Sequence, residues 1–169
     1  VIAQKADGAL RDALSIFDQI VSLSGKKITY RDVLENLNVL DSEYYFKIID
    51  AALRSDISSV LLTFNEILEK GFDASNFLSG LNSHLRNLLI SRDEVTLSLL
   101  ETTPAIRQRY SRQMKSCTEE FLFKALDAGS NADISFRASK NPRFHVELFL
   151  ILLCRLNNES APGLSEKKN

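Results

Sequence analysis

Arg11 stands where an arginine could bind a phosphate. Asp7 occupies the expected N-cap of a helix, because its carboxylate can accept a free backbone N–H. Arg11 then falls in the first turn, where the helix dipole is positive and disfavours a cation. A guanidinium beside the free N–H groups of a helix start suits a phosphate. The alternative is a solvated arginine that pairs with Ser15 or Asp18, and helix geometry alone favours this alternative.

A second group of cations lies in the stretch I-R-Q-R-Y-S-R-Q-M-K. Arg109, Arg112 and Lys115 follow one another at three-residue spacing, so they can form a stripe on one helix face close to Arg107. Such a stripe could contact DNA phosphates or an acidic partner surface. The formal net charge of −1 favours instead a solvated face without a nucleic-acid partner.

The sequence lacks the motifs that usually mark catalysis. It contains neither G-x-x-x-x-G-K-[ST], nor G-x-G-x-x-G, nor H-E-x-x-H. The two histidines stand far apart; His84 is expected to be partly exposed and His145 to lie at the edge of a bundle. The two cysteines are too few for a disulfide framework or a zinc site, and Cys154 fits a small buried hydrophobe. We therefore expect no catalytic residue, metal site or cofactor in this chain.

The composition is that of a globular protein with its own core. Of 169 residues, 44% are hydrophobic and 25% are charged. The longest apolar run, F-L-I-L-L-C, is far shorter than the ~20 residues that a membrane span needs, and no signal peptide is evident. No membrane partner is expected. The chain begins with valine and its only methionine is Met114, which suggests a fragment of a longer protein.

Apolar residues recur at helical spacing along the whole chain, and no strand-length stretch alternates between apolar and polar residues. The sequence therefore predicts an all-α fold. In the first helix, over 8–23, one apolar face carries Leu10, Ala13, Leu14, Phe17 and Val21. Further helices are expected at 29–37, 43–54, 56–70, 73–91, 93–101, 104–115, 117–138 and 142–156.

Local signals place several helix ends. Gly71 is expected to end one helix, and the helix from 117 could break near Gly129. The last helix is apolar almost all round, so it should lie at the centre of a bundle or in a subunit interface. Besides Asp7, the residues that fit N-caps are Thr29, Asp41 or Ser42, Asp73, Thr103, Ser116 and Asn141.

The start of the last helix contains a candidate structural lock. Arg143 is a second cation in a first helical turn, and Glu147 lies four residues further on, where it can pair with Arg143. Asn141 and Pro142 supply the N-cap and a proline at the first helical position. We expect these four residues to fix the entry of the last helix.

Two stretches of the chain resemble a known family. A-D-G-A-L-R-D-A-L-S-I-F-D-Q-I is similar to the sensor 2 helix of bacterial clamp-loader ATPases of the AAA+ class, and most similar to the gamma/tau subunits of DNA polymerase III. N-P-R-F-H-V-E-L-F-L-I-L-L-C-R-L resembles the last helix of the same family. The matching positions are Gly8, Arg11, Asp12, Ala13, Leu14, Ser15, Asp18 and Gln19, followed by Asn141, Pro142, Arg143 and Glu147.

The resemblance implies an architecture of two parts. Residues 1–38 would be the end of the lid domain that carries the sensor 2 helix. Residues 39–158 would be the helical-bundle collar through which clamp-loader subunits assemble, and 159–169 a linker or disordered tail. It also implies that Arg11, supported by Gly8, Asp12 and Ser15, senses the terminal phosphate of ATP.

The same resemblance implies a role for a longer parent protein in DNA replication. The parent would bind ATP and magnesium and act within the DNA polymerase III holoenzyme, a transferase, as an ATPase that loads the sliding clamp on primed DNA. Its partners would be further copies of itself and the delta and delta prime subunits, in the bacterial cytoplasm. The P-loop would lie upstream, so this fragment would not hydrolyse ATP. The alternative is a generic helical adaptor unrelated to replication.

Overall fold

The structure is a computed structural model that describes residues 2, 6, 9–24, 28–29, 33, 39–100 and 102–159. Within these stretches the regular structure is helical throughout and contains no strand, which confirms the predicted all-α class. The chain divides into two compact units, Val1–Asp41 and Ser42–Asn169. Their identities as lid remnant and collar stay a prediction, as does the tail, which lies outside the described residues except for Glu159.

The first unit contains helix α1, Leu10–Ser24. The carbonyl of Ala9 accepts the first helical bond from the Ala13 N–H over 3.0 Å, so Arg11 does lie in the first turn. Asp7, the predicted N-cap, and most of the predicted helix 29–37 lie outside the described residues. The predicted apolar face does not form the buried side of α1, because Leu10, Leu14, Phe17 and Val21 are exposed whereas Ile20 is fully buried.

The second unit contains the remaining described helices. They are α2 (Ser42–Leu53), α3 (Ile57–Glu69), α4 (Ala74–Ile90), the short α5 (Glu94–Leu97), α6 (Pro104–Met114), α7 (Glu119–Phe136) and α8 (Pro142–Glu159). α5 is shorter than the expected 93–101, and α7 runs without a break through Gly129.

Short polar side chains begin these helices. Asp73 accepts from the backbone N–H groups of Ser75 and Asn76 at the start of α4, and Thr103 accepts from Ile106 ahead of Pro104. The predicted cap at Ser116 is wrong. Thr118 caps α7 by accepting from Phe121, because Ser116 still belongs to the turn that closes α6, where its N–H donates to the Gln113 carbonyl.

Gly71 ends α3 as predicted. It has a φ of 85°, in the left-handed region, and its N–H donates to the Leu68 carbonyl while Phe72 donates to Ile67. This pair of bonds satisfies the last carbonyls of the helix. The backbone of Ser55, at the end of α2, also lies in the left-handed region, with a φ of 57°. The Ser55 hydroxyl donates to the Cys154 carbonyl of α8 over 3.0 Å.

α8 is the central helix of the second unit. It packs against α2, α3, α4 and α7, which confirms its expected place in the centre of a bundle. Asn157 ties its end to α2 by donating to the Leu53 carbonyl over 2.6 Å. The buried face consists of Val146, Phe149, Leu150, Leu153, Cys154 and Leu156.

Gly129 lies where α7 contacts both α4 and α8. The amide nitrogen of Asn82 in α4 donates to the Gly129 carbonyl over 2.9 Å. A Cβ at Gly129 would lie 2.1 Å from Asn82 Oδ1 and 3.1 Å from Phe149 Cζ. The contact therefore requires glycine, because any side chain would displace the Asn82 amide or press on the Phe149 ring.

We expect Gly129→Ala to lower the free energy of unfolding by about 1–2 kcal/mol. Overpacking costs about 1–3 kcal/mol, and the better helix propensity of alanine returns up to ~1 kcal/mol. Urea denaturation followed by circular dichroism measures the change. Ser130→Ala is the matched control, since Ser130 is exposed on the same helix and should change the stability by less than about 0.5 kcal/mol. Equal stability of the two variants would contradict the packing argument.

Candidate functional site

Arg11 is exposed at the start of α1. Within the part of the chain that the structure describes, neither a hydrogen bond nor an ion pair joins its guanidinium to Ser15 or Asp18, so the arginine is solvated without that pairing. Ser15 and Asp18 are themselves exposed. The arginine therefore faces solvent and is accessible to an anion.

The carboxylate of Asp12 offsets the unfavourable position of the Arg11 cation at the start of α1. Asp12 lies in the same first turn, and its carboxylate interacts favourably with the positive end of the helix dipole. The first N–H groups of a helix have no partner within the helix, so a helix start of this kind suits an anion beside the guanidinium. Gly8 lies outside the described residues. The phosphate-sensing role of Arg11, Gly8, Asp12 and Ser15 stays a prediction.

The four cations of α6 do not form one free stripe. Arg109 pairs with Glu43 and places its guanidinium 4.3 Å from the centre of the Phe46 ring. Arg107 donates to the Leu100 carbonyl over 3.1 Å. Arg112 and Lys115 are exposed at the end of the helix. Contact of these side chains with phosphate or a partner stays a prediction, and two of the four already have structural bonds.

The N-P-R stretch joins the start of α8 to α3. Asn141 accepts from the Phe144 N–H over 3.1 Å, as an N-cap does. Arg143 Nε donates to Glu147 Oε1 over 2.8 Å, and Arg143 Nη2 donates to Asn65 Oδ1 over 2.9 Å. Pro142 occupies the first helical position. The bonds expected of a structural lock are present, although their effect on stability stays a prediction.

α8 also exposes an apolar stripe opposite its buried face. Phe144, Leu148 and Leu152 recur every four residues and are 54%, 49% and 42% exposed. Contiguous apolar side chains in water are typical of a surface that contacts another protein. We call these three residues the α8 stripe.

The sequence did not predict the polar cluster around His84. This histidine is buried, with 1% exposure, and not partly exposed as expected. Its Nε2 lies 2.9 Å from Gln113 Oε1, and its Nδ1 lies 3.0 Å from the Tyr110 hydroxyl. Asn87 Nδ2 lies 3.3 Å from the same hydroxyl. His84 shares the helix face of Phe77, Leu81 and Leu88, and that spacing was the signal for its burial.

The hydrogen bonds fix the direction of every proton in this cluster. Gln113 Nε2 donates to the Phe46 carbonyl over 2.8 Å and to Asp50 Oδ1 over 2.7 Å. Gln113 Oε1 can only accept, so His84 Nε2 must carry the imidazole proton. His84 Nδ1 is then an acceptor, and the Tyr110 hydroxyl donates to it. The cluster thus requires a neutral imidazole with its proton on Nε2.

Burial also favours the neutral forms of these groups. It lowers the pKa of His84 to about 4, although the Gln113 hydrogen bond and the Asp50 carboxylate act in the opposite direction. Burial and the neighbouring Tyr110 raise the pKa of Tyr45 to about 12. Burial raises the pKa of the Cys117 thiol to about 12, and that of the buried Cys154 thiol to about 11. Both cysteines are free and buried, as expected for Cys154.

Among the described residues, no group of three or more histidine, cysteine, aspartate or glutamate side chains could hold a metal ion. None of the helices in the described stretches has the length and apolar character to cross a membrane.

The fold of this chain has a counterpart among solved structures. A solved structure of the Bacillus subtilis DNA clamp loader delta protein superposes with a TM-score of 0.59 at 17% identity, over 91% of this chain and 49% of that chain. At such low identity the likeness concerns the fold alone. It extends over nearly the whole of this chain.

The sequence relatives and the family assignment point the same way. DNA polymerase III subunit tau of Bacillus subtilis is 24% identical over 98% of this chain and 30% of its own length. Protein STICHEL-like 2 of Arabidopsis thaliana is 29% identical over 94% of this chain and 18% of its own length. Residues 28–168 match the family of DNA polymerase III subunits gamma and tau, domain III. The chain belongs to this family and spans less than a third of these relatives' length. An adaptor unrelated to replication finds no support.

Proposed function

We propose that this chain is the assembly domain of a clamp-loader subunit, preceded by the end of its lid domain. In the longer parent protein it would join further copies of itself and the delta and delta prime subunits. The assembled complex would use ATP to load the sliding clamp on primed DNA in the bacterial cytoplasm. The match of residues 28–168 to domain III of the gamma and tau subunits carries this proposal.

The nucleotide chemistry of this proposal belongs to the parent. The chain contains no P-loop motif, so ATP and magnesium would bind to a preceding domain. Arg11 would reach the terminal phosphate from outside that site and report the nucleotide state to the lid. The exposed guanidinium and the helix start at Ala9 support this role.

The α8 stripe is the surface that best fits a contact with the matching domain of another clamp-loader subunit. α8 packs against four neighbouring helices on one side and still exposes three large apolar side chains on the other. Burying such a side chain in a subunit contact contributes about 1.5–3 kcal/mol. The stripe can therefore dominate the affinity of an assembly.

Leu148→Ser is expected to weaken assembly about 10- to 100-fold, since about 1.4 kcal/mol corresponds to a tenfold change in affinity. Sedimentation equilibrium of this chain, alone and mixed with the other clamp-loader subunits, measures the change. The matched control is Leu62→Ser, because Leu62 is 70% exposed on α3 outside the stripe and should leave assembly unchanged. A strict monomer at high concentration, with no binding to those subunits, would contradict the proposed function itself.

A further inference from the structure

α6 is attached to the rest of its unit through two buried side chains that carry polar groups. Its buried side chains are Tyr110 and Gln113, both of which place a polar group in the interior. It packs chiefly against α4. Leu100 before the helix and Cys117 after it are buried apolar residues that anchor the chain at either side. The two buried side chains of α6 both make hydrogen bonds, and the Tyr110 ring also packs with its centre 4.9 Å from that of Phe46.

The hydrogen bonds of Tyr110 and Gln113 belong to the polar cluster around His84. Gln113 joins α6 to the Phe46 carbonyl and to Asp50 in α2, and both Gln113 and Tyr110 bond to His84 in α4. α6 also contacts α2 through the Tyr110 and Phe46 rings and through the pair between Arg109 and Glu43, which is at the surface, where solvent weakens ion pairs. The docking of α6 therefore depends on a buried polar network that is complete in a single protonation state.

A proton on His84 Nδ1 would disrupt this network. The imidazolium would donate to the Tyr110 oxygen, which already accepts from Asn87, and the Tyr110 hydroxyl proton would lose its acceptor. The imidazolium would also be a charge buried away from water, since His84 is 1% exposed, and such burial is costly. Both costs disappear when α6 moves away and water reaches the imidazole.

We infer that α6 is a separable part of the fold, docked while His84 is a neutral imidazole and released when His84 is protonated. This release would carry with it the cations of α6, including the exposed Arg112 and Lys115. The inference does not depend on the proposed function, since it rests on the contacts of α2, α4 and α6 alone.

The other titratable and charged groups near His84 are consistent with His84 as the group that changes its protonation state. Tyr45 and Tyr110 have raised pKa values and stay neutral, as does the Cys117 thiol. Asp50 is the carboxylate that favours the imidazolium, and Gln113 already donates to it. Arg109 carries a permanent charge close to Phe46. Among the described residues, no charged group of α7 or α8 contributes to the pKa of His84.

The expected pH dependence follows from the two pKa values of His84. The docked state has a pKa of about 4 and the released state the ordinary 6.5, so the released state binds the proton more tightly. Docking is therefore fully favoured above pH 6.5, weakens as the pH falls below it, and levels off below pH 4. Between pH 7.5 and 5 the opening equilibrium should rise about 30-fold.

Native-state hydrogen exchange of the full chain tests the inference. Protection factors, which remove the intrinsic pH dependence of exchange, should fall about 30-fold for the amides of α6 between pH 7.5 and 5, and should be lower in α6 than in α7 at both pH values. The imidazole nitrogen resonances should show the proton on Nε2 at pH 7.5. A proton on Nδ1, or protection of α6 equal to that of α7 at both pH values, would overturn the inference.

Variants distinguish protonation of His84 from other effects of acid on the protection of α6. His84→Gln should abolish the pH step in α6, whereas His145→Gln, which alters the other histidine, should retain it. If His84→Gln does not fold, Tyr110→Phe serves instead, because removal of the hydroxyl makes protonation of Nδ1 easier and should reduce the change in protection with pH.

Gln113→Leu should release α6 already at pH 7.5, and Gln108→Leu, at an exposed position of the same helix, should not. An unchanged step in both His84→Gln and Tyr110→Phe would exclude His84 as the switch.

Discussion

Phe64→Ala is expected to lower the free energy of unfolding of the second unit by about 3–5 kcal/mol. Phe64 lies on α3, is fully buried, and its ring centre lies 4.8 Å from that of Phe77 on α4. Truncation removes the buried ring, leaves a cavity between the two helices and ends the ring contact. Urea denaturation, followed by circular dichroism at a fixed protein concentration, measures the loss.

Phe123→Ala is the matched control for this substitution. Phe123 is 54% exposed on α7, so its truncation should change the stability by less than about 1 kcal/mol. Because total stabilities are about 5–15 kcal/mol, the Phe64 variant should approach the unfolding threshold at physiological temperature while the Phe123 variant does not. Comparable losses in the two variants would show that the core lies elsewhere.

Arg11→Ala in the restored parent chain is expected to weaken ATP-dependent clamp opening about 10- to 100-fold. A charge-assisted hydrogen bond to a phosphate contributes about 1.5–3 kcal/mol, and about 1.4 kcal/mol corresponds to one factor of ten. Arg11 is exposed and makes no bond to other described residues, so the fold should be unaffected. Clamp opening measured against ATP concentration, together with the helix signal, separates the two effects.

Arg137→Ala is the control for Arg11. It removes an exposed arginine at the end of α7, remote in sequence from the helix start at Ala9. This variant should assemble and open the clamp as the parent does. Normal clamp opening by Arg11→Ala would remove the sensor role, while leaving the assembly role of the second unit open to its own test with Leu148→Ser.

Most predicted helices of the second unit agree well with the structure because the signals for their ends are local. Asp73, Thr103 and Asn141 each bond to backbone groups two or three residues away, so a short stretch of sequence contains the whole signal. The same locality explains the error at Ser116. Ser116 and Thr118 both carry a hydroxyl that can cap a helix, and they lie two positions apart. Which of them caps α7 depends on where the preceding helix α6 ends.

The candidate sites depended on contacts that periodicity does not describe. Arg109 looked like part of a free cationic stripe, but Glu43 and Phe46, more than sixty residues earlier, hold it. Arg143 was expected to pair with Glu147 four residues away, and does, yet its second bond to Asn65 comes from another helix. Partners within one or two turns are predictable from spacing, and partners on other helices are not.

The sequence by itself determined that this chain is helical, where most of its helices begin and end, and which family it resembles through Arg11 and the N-P-R stretch. The tertiary structure alone decided which faces are buried. A helix pattern defines an apolar face but not its neighbour, so Leu10 and Leu148 proved exposed. His84 and Gln113 could be buried because polar partners 29 and 67 positions away in sequence satisfy their hydrogen bonds. Only the packing of α2, α4 and α6 brings those partners together.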